Sequence, residues 1–549
     1  MRDCGEAEGK PLPGGCDGEP IVTSYAKATI PTLAEVGTRE VTNVDEFTAT
    51  WIKSANAELT KFLRQWPLEA VASLTEVEAQ GRRLAKAVVE TFYEAWMTVL
   101  EEAALRIGRL CPGCSQPRKC KRRAEDPLEV QVVGLTLKLP KLYLYCEHCE
   151  APGVSITRLL TDLSSGDASA ELKLAAAYCA AEHSYGKASQ DLEVHYGEAV
   201  ERTKVRRLAL DVEAEAKRFA EEERQRSLSR LQQERSPPGV ECLMLQGDGG
   251  LVRTGTLVPC EQGDSGYRKK TAKRGRRRRK RLLQFREIIT LDVREPGEVE
   301  ATALDVVVPA VAKPNEREHR MLALAERKGL GKNTEVIGLG DLGSALPAAF
   351  EEAFHDYPGF YCGDWRHTST YVQSAASVLE NIDAAQWEQD MKRAIWNRRV
   401  QPRDDLLAKA HQHRMAALPA QFNKCPLAAL DTYVHNNWEH LRARDLKRRG
   451  LDFVSARAEA QVRDRTKRRF AVPGAWLTEH LEGKALLRAI IADGRWSRFR
   501  EHYLKTRATA FGAALRERLQ QALCERRIAA LPTDRLAETH NEEDQRSAA

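Results

Sequence analysis

The sequence predicts an α+β chain of several domains. Three observations carry that expectation. Long stretches space their apolar residues at the helical period, as in LAKAVVETFYEAWMTVLEEAALRI. One stretch, LEVQVVGLTLKLPKLYLYCEHC, alternates apolar and polar residues at the strand period. After the breaker SPPG, three apolar runs each close on an aspartate: VECLMLQGD, TEVIGLGD and GFYCGD. At 549 residues the chain is long enough for two to four domains and a sizeable core.

Taken in order, residues 1–40 are rich in Gly and Pro and read as a disordered leader. Residues 41–109 form a helical region, and 110–160 a module of paired cysteines around a β-ribbon. Residues 168–236 are helical. ASAELKLAAAYCAAEHSYGKASQDLEVHYG places two helical runs around a Gly-containing turn, the pattern of a helix-turn-helix-like segment. Residues 240–500 form an α/β core, with GLVRTGTLV and REIITLDV as expected partners of the VECLMLQGD strand. This core carries a basic loop at 268–281 and a helical insertion at about 381–450. Residues 501–549 close the chain as a helix and a disordered tail.

Charged residues make up 30% and hydrophobic ones 42%, with a net charge of +6, the profile of a soluble globular protein. No run of eighteen apolar residues exists, so no membrane span or membrane partner is expected. The N-terminus lacks an apolar signal core. The 13 cysteines do not suggest a disulfide scaffold, and thiols of a cytoplasmic protein stay reduced. RKKTAKRGRRRRKR, from Arg268 to Arg281, is basic except at Thr271, Ala272 and Gly275. Such a run attracts polyanions. Its candidate DNA-contacting residues are Arg276, Arg277, Arg278, Arg279 and Lys280, and the contact would be with phosphates, without reading sequence.

Cys111 and Cys114 form one C-x-x-C knuckle, and Cys146 and Cys149 form another. Each knuckle presents two sulfurs on one small turn. Two knuckles brought together by the intervening ribbon complete a tetrahedral, structural Zn2+ site with no open position for a reacting water. Cys120 and His148 are spare candidates, and unrelated buried thiols are the competing reading.

Asp248 follows an apolar strand and precedes two glycines, and Asp341 ends a second strand. Carboxylates at the ends of neighbouring parallel strands would converge. Like charges that close repel unless cations lie between them. Mg2+ or Mn2+ prefers oxygen ligands, and two such ions can align an attacking oxygen with a scissile phosphodiester. Each Asp alone is more commonly a turn or cap residue. The pair, and the glycines Gly247, Gly249, Gly250, Gly340 and Gly343 that would admit a DNA backbone, shift that balance.

At these residues, over about 108–500, the chain resembles the DDE transposases of bacterial insertion sequences, in particular the ISKra group, with a more distant likeness to Mutator-like enzymes. The resemblance implies an RNase H-like core whose first strand ends in Asp-Gly, matched by Asp248-Gly249. It also implies a later strand matched in part by GLGDLG, and an Asp-x-x-His matched by Asp364 and His367. YVHNNWEHLRARDLKRRGLDFVSARAEAQVRDRTKRRF matches the family's Asn-Asn stretch and the helix bearing its catalytic Glu, here Glu459. The implied metal-binding set is Asp248, Asp341 and Glu459. Asp364 would support His367 by orienting its ring, and His367 would stand near the scissile phosphate. Arg463, Lys467 and Arg468 would meet phosphates.

The implied activity is metal-dependent cleavage of element ends, then attack of the freed 3′-hydroxyl on target DNA. The implied partners are double-stranded DNA, both terminal inverted repeats and target, and further copies of the chain as a homo-oligomer. The implied location is the bacterial cytoplasm, at the nucleoid. The family's Gly-Ser-Gly before the Glu is Val454-Ser455-Ala456 here, and Leu342 stands where many relatives have Gly. Losing those glycines would stiffen the turn. These departures keep open an alternative: a catalytically inactive transposase relic acting as a zinc-containing DNA-binding protein.

Overall fold

The computed structural model describes residues 44–65, 74–107, 110–111, 114–149, 153–155, 157, 167–197, 199–233, 238–260, 279–298, 303–309, 311–343, 345–416, 422–456, 460, 468–470 and 476–507. The expected leader and tail, Arg276, Arg277, Arg278, Glu459, Arg463 and Lys467 lie outside the described residues. The architecture is α+β, with two mixed sheets. Among the described residues, no helix is long and apolar enough to cross a membrane. The chain divides into two compact units, whose described residues fall within Met1–Leu128 plus Leu139–Leu163, and within Glu129–Lys138 plus Ser164–Arg507.

In the first unit, helices Val44–Gln65 and Leu74–Ile107 meet through an edge contact of Trp51 and Phe92, with ring centroids 5.5 Å apart. Arg122 Nε sits 2.7 Å from Glu101 Oε2, joining the second helix to strand β1 (Lys119–Val132). Its neighbour β2 (Leu135–Tyr145) buries Leu135, Leu137 and Leu139 and exposes Thr136 and Lys138, the alternation legible in the sequence. The ribbon of β1 and β2 belongs to both units, its tip Glu129–Lys138 to the second. Gly134, at φ +84°, makes the turn between them. The sheet order is β3-β2-β1-β4, with β3 at Val154–Ser155 and β4 at Asp167–Ala168.

In the second unit, β4 is followed by helices Ala170–Glu182 and Tyr185–Tyr196. The expected Gly-containing turn is instead His183-Ser184, and Gly186 lies in the first turn of the second helix. Two serines start these helices: Ser169 Oγ accepts from Leu172 N at 3.1 Å, and Ser184 Oγ from Lys187 N at 3.2 Å. Helix Arg202–Leu231 then packs Val205, Leu208, Val212 and Phe219 against Leu487, Ile490, Phe499 and Tyr503. Buried ion pairs tie the same helix to the end of the unit. Lys484 Nζ lies 2.6 Å from Glu213 Oε1, and Arg495 Nη1 lies 2.7 Å from Glu223 Oε2.

The larger sheet runs β7-β6-β5-β8-β9, with β10 (Trp476–Leu477) also paired to β5. Strand β5 is Cys242–Pro259, β6 Arg279–Arg294, β7 Ala303–Val307, β8 Glu335–Gly340 and β9 Gly359–Gly363. The first three are antiparallel neighbours, whereas β8 and β9 run parallel to β5. One expectation changes here. GLVRTGTLV is not a partner of the VECLMLQGD strand but its continuation, because the ladder with β6 runs unbroken from Met244↔Arg294 to Pro259↔Arg279. Helices Glu316–Arg327, Leu346–Phe354 and Trp365–Ala376 bury their apolar faces on the sheet through Leu243, Leu245, Ile289 and Leu291. Between β9 and residue 456 the described chain adds helices Ala384–Trp396, Val400–Gln412, Pro426–Asn436 and Ala443–Arg448.

Candidate active site and metal centre

Register builds the first site. Gly247 on β5 pairs with Gly340 on β8, and Gly340 pairs with Gly363 on β9. Each glycine is followed by an aspartate, so Asp248, Asp341 and Asp364 stand at one level; Asp341 and Asp364 follow the ends of β8 and β9, whereas Asp248, expected at a strand end, lies inside β5, which runs on to Pro259. Neighbouring strands stand about 4.8 Å apart. In open sheets with parallel strands, this carboxyl edge is where ligands bind.

The glycines below the aspartates serve the protein's own packing, not the approach of a DNA backbone. A Cβ on Gly247 would meet Leu346 Cδ1 at 2.9 Å, and one on Gly340 would meet Gly247 O at 2.6 Å. A Cβ on Gly363 would meet Leu342 Cδ1 at 2.4 Å. Leu342 is itself buried and fills the space beside Gly363.

The three carboxylates differ in surroundings. Asp248, partly buried, accepts from Gly249 N at 2.7 Å. Asp341 accepts from Gly343 N at 2.9 Å, and its Oδ1 lies 3.6 Å from His367 Nδ1. The His367 ring holds the Asp341 carboxyl below its ordinary range against the opposing effect of burial. In return Asp341 raises the imidazole of His367, with the charges of Asp364 and Asp248 adding to the effect. Asp364 is fully buried. Its Oδ1 caps helix Trp365–Ala376, accepting from Arg366 N at 2.6 Å and His367 N at 3.4 Å. Its Oδ2 accepts from Ser455 N at 2.8 Å and from the Ser455 hydroxyl. Asp364 therefore contacts His367 through its backbone amide, and fixes the ring's position by fixing the helix start.

A further carboxylate, Glu287 on β6, was not singled out from the sequence. Its Oε1 lies where a Cβ on Gly249 would be, 2.3 Å from that position. Burial raises its pKa, and the charges of Asp248 and Asp341 raise it further, against Arg317. Nothing local marks Glu287. Only the β5–β6 register, which sets it opposite Leu251, brings it over Gly249. Of the residues expected to meet DNA, Arg279 and Lys280 are exposed on β6, and Arg468 is exposed in the short helix Arg468–Phe470.

The second site lies in the first unit. The ligand atoms of Cys111, Cys114, Cys146 and Cys149 all fall within 4.8 Å of one another. Among the described residues, this is the set of three or more potential ligands that draws so close; the strand-end aspartates do not, as a set of three. Cys111 Sγ lies 3.5 Å from Cys149 Sγ, and Cys114 Sγ lies 3.4 Å from Cys146 Sγ. A tetrahedron with arms of about 2.3 Å has edges of about 3.8 Å, so the four sulfurs fit a zinc ion. The turn is shaped by Cys111 N donating to Gln116 O at 2.8 Å and by Ser115 at φ +58°. His148 N points at Cys146 Sγ at 3.4 Å, support from outside the ligand set. Cys120 is not in the cluster, and burial pushes its thiol up to about 11.

No protein-family model matches the chain, and no curated protein matches it either. Among solved structures, the chain is similar to the Drosophila P element transposase strand transfer complex at 9% identity and a TM-score of 0.25. The match covers 62% of this chain and 96% of that one. A likeness at that level carries no argument about function.

Proposed function

We infer that this protein is a DNA transposase of the DDE type, which cleaves element ends and joins the freed 3′ ends to target DNA. The observation that carries the reading is the shared level of Asp248, where β5 runs past the end of its pairing with β8, and Asp341, just beyond the end of β8. A mixed sheet with an antiparallel β7-β6-β5 half and a parallel β5-β8-β9 half is the arrangement an RNase H-like core requires, and it supports the same reading.

The chemistry of the donors suits a hard divalent cation. They offer carboxylate oxygens, and the charges of Asp248 and Asp341 are close enough to raise Glu287. Asp248 and Asp341, with Glu459 as the expected third, would hold Mg2+ or Mn2+. Bound there, the ion supplies charge stabilisation to a phosphoryl group. Glu459 stands four residues beyond Ser455, which Asp364 anchors beside the strand ends. His367, whose imidazole Asp341 shifts towards its protonated form, would steady a phosphate beside the carboxylates. The four cysteines would hold a structural zinc. The exposed basic residues of β6 would bind double-stranded DNA through its backbone.

The test is Mg2+-dependent cleavage and strand transfer on DNA carrying the element ends, comparing the native chain with Asp248→Asn. Activity should fall on the order of a hundredfold or more while DNA affinity holds. DNA binding with no Mg2+-dependent cleavage by the native chain would instead mark a zinc-containing DNA-binding relic. Cleavage without joining would mark a plain nuclease.

A further inference from the structure

The β5–β6 hairpin outruns the sheet that carries it. Strand β8 pairs with β5 only from Cys242 to Gly247, and β7 pairs with β6 only from Ile289 to Val293. Beyond those points the two long strands continue as a ribbon, through Arg253↔Phe285 and Gly255↔Leu283 to Pro259↔Arg279. The short strand β10 borders it, beside Thr254 and Gly255.

Side chains alternate across a strand, so directly paired residues share a face. One face of the ribbon carries Leu251, Phe285, Leu283 and Leu257, which are 66%, 69%, 46% and 39% exposed. The same face carries exposed Arg253 and Arg281, the latter with its stem laid across Gly255. A ribbon that shows large apolar side chains to water, interleaved with arginines, lacks the burial that apolar strands normally find. In the sequence, the connection from Cys260 to Arg279 includes most of the basic run.

Charge selects the occupant. A polyanion of regular shape matches the arginines, and a two-stranded ribbon fits a groove of double-stranded DNA. Apolar side chains beside such arginines have a known mechanical use: wedged between base pairs, they unstack a step and bend the duplex. We propose that this ribbon is a DNA-bending arm. It enters a groove of double-stranded DNA, its arginines neutralise the flanking phosphates, and Phe285 with Leu283 wedges into the base stack. The inference rests on the reading that DNA is this protein's substrate, and adds a mechanical role for the ribbon.

The test uses the full chain and a duplex of about 30 base pairs labelled at both ends, read by energy transfer. The native protein should bend it by an angle on the order of 40–90°. A double variant, Phe285→Ala with Leu283→Ala, should keep affinity within about threefold, since phosphate contacts carry most of it, yet lose at least about half of the bend. Arg253→Gln with Arg281→Gln should instead weaken binding and flatten its salt dependence. These side chains are exposed, so an unchanged melting temperature checks that each variant folds. Asp248→Asn should bend DNA like the native chain, which separates this proposal from the catalytic one. A native protein that cleaves DNA without bending it overturns the arm and leaves the catalytic reading standing. Equal bending by the Phe285/Leu283 variant overturns the wedge. So does a DNA-free dimer that the same variant dissociates, because the apolar face would then belong to a second copy. A native protein that binds no DNA overturns both readings.

Discussion

Replacing Asp364 with alanine tests how the strand ends are held together. The carboxylate is fully buried, caps helix Trp365–Ala376 and holds Ser455 from 91 residues away. Loss of a helix cap costs about 0.5–2 kcal/mol. Leaving the buried Ser455 amide and hydroxyl without their charged acceptor adds about 1–3 kcal/mol for each unsatisfied group. Relaxation recovers part of that, so the expected loss is roughly 3–5 kcal/mol. In a thermal melt this corresponds to a drop of order 10 °C. Asp364→Asn should lose about half as much, because its carbonyl oxygen still caps the helix while its amide faces the Ser455 N–H. In a double-mutant cycle, Asp364→Ala and Ser455→Ala should be strongly non-additive. A melting temperature for Asp364→Ala within about 2 °C of native, or an Asn variant as damaged as the Ala variant, refutes this account of the buried carboxylate.

Other consequences are equally direct. Metal analysis should find one zinc per chain, and Cys146→Ser should lose it and lower the melting temperature of the first unit, since ligand binding and folding are coupled there. Arg320 is buried, with Nη1 3.0 Å from Asp305 Oδ1 and Nη2 3.0 Å from Glu482 Oε1, and it also pairs with Glu316. Arg320→Met strands those carboxylates and should cost about 3–5 kcal/mol, read as a melting shift at neutral pH. Glu326 binds Arg230 through both oxygens, at 2.5 and 2.6 Å. Burial raises its pKa, but the Arg230 bonds outweigh that and the net shift is downward. Its stabilisation is therefore present above about pH 4.3 and is lost as pH falls through the lowered folded value. Because Arg230 is exposed, screening limits the pair to about 1 kcal/mol at most. Glu326→Gln should melt lower than native at pH 7, and the gap should narrow as pH falls below the ordinary carboxylate range.

The cysteine pairs and the ends of β8 and β9 at Gly340 and Gly363 were legible because their signals are local. A C-x-x-C knuckle puts two sulfurs on one turn, and an apolar run ending in Gly-Asp announced those two strand ends, but at Asp248 the same signal misled, because β5 runs on to Pro259. Alternation likewise announced the β1–β2 ribbon, and its buried leucines follow the pattern. The start of helix Tyr185–Tyr196 was misread by a few residues, because Ser184 takes the cap that the nearby glycine had suggested as a turn.

What the chain could not declare by itself was who stands beside whom. That Asp248, Asp341 and Asp364 share one level depends on two strand registers set by helices packed over the sheet. Glu287 reaches Gly249, and Ser455 reaches Asp364, only through pairings between distant segments. The length of the β5–β6 arm is likewise invisible in two separate apolar stretches, since the ladder between them, not either stretch, carries the strand through Gly249 and Gly250. Local sequence fixes residue type and period, whereas register and proximity come from burying shared apolar surface, a sum over the whole unit that no short stretch contains.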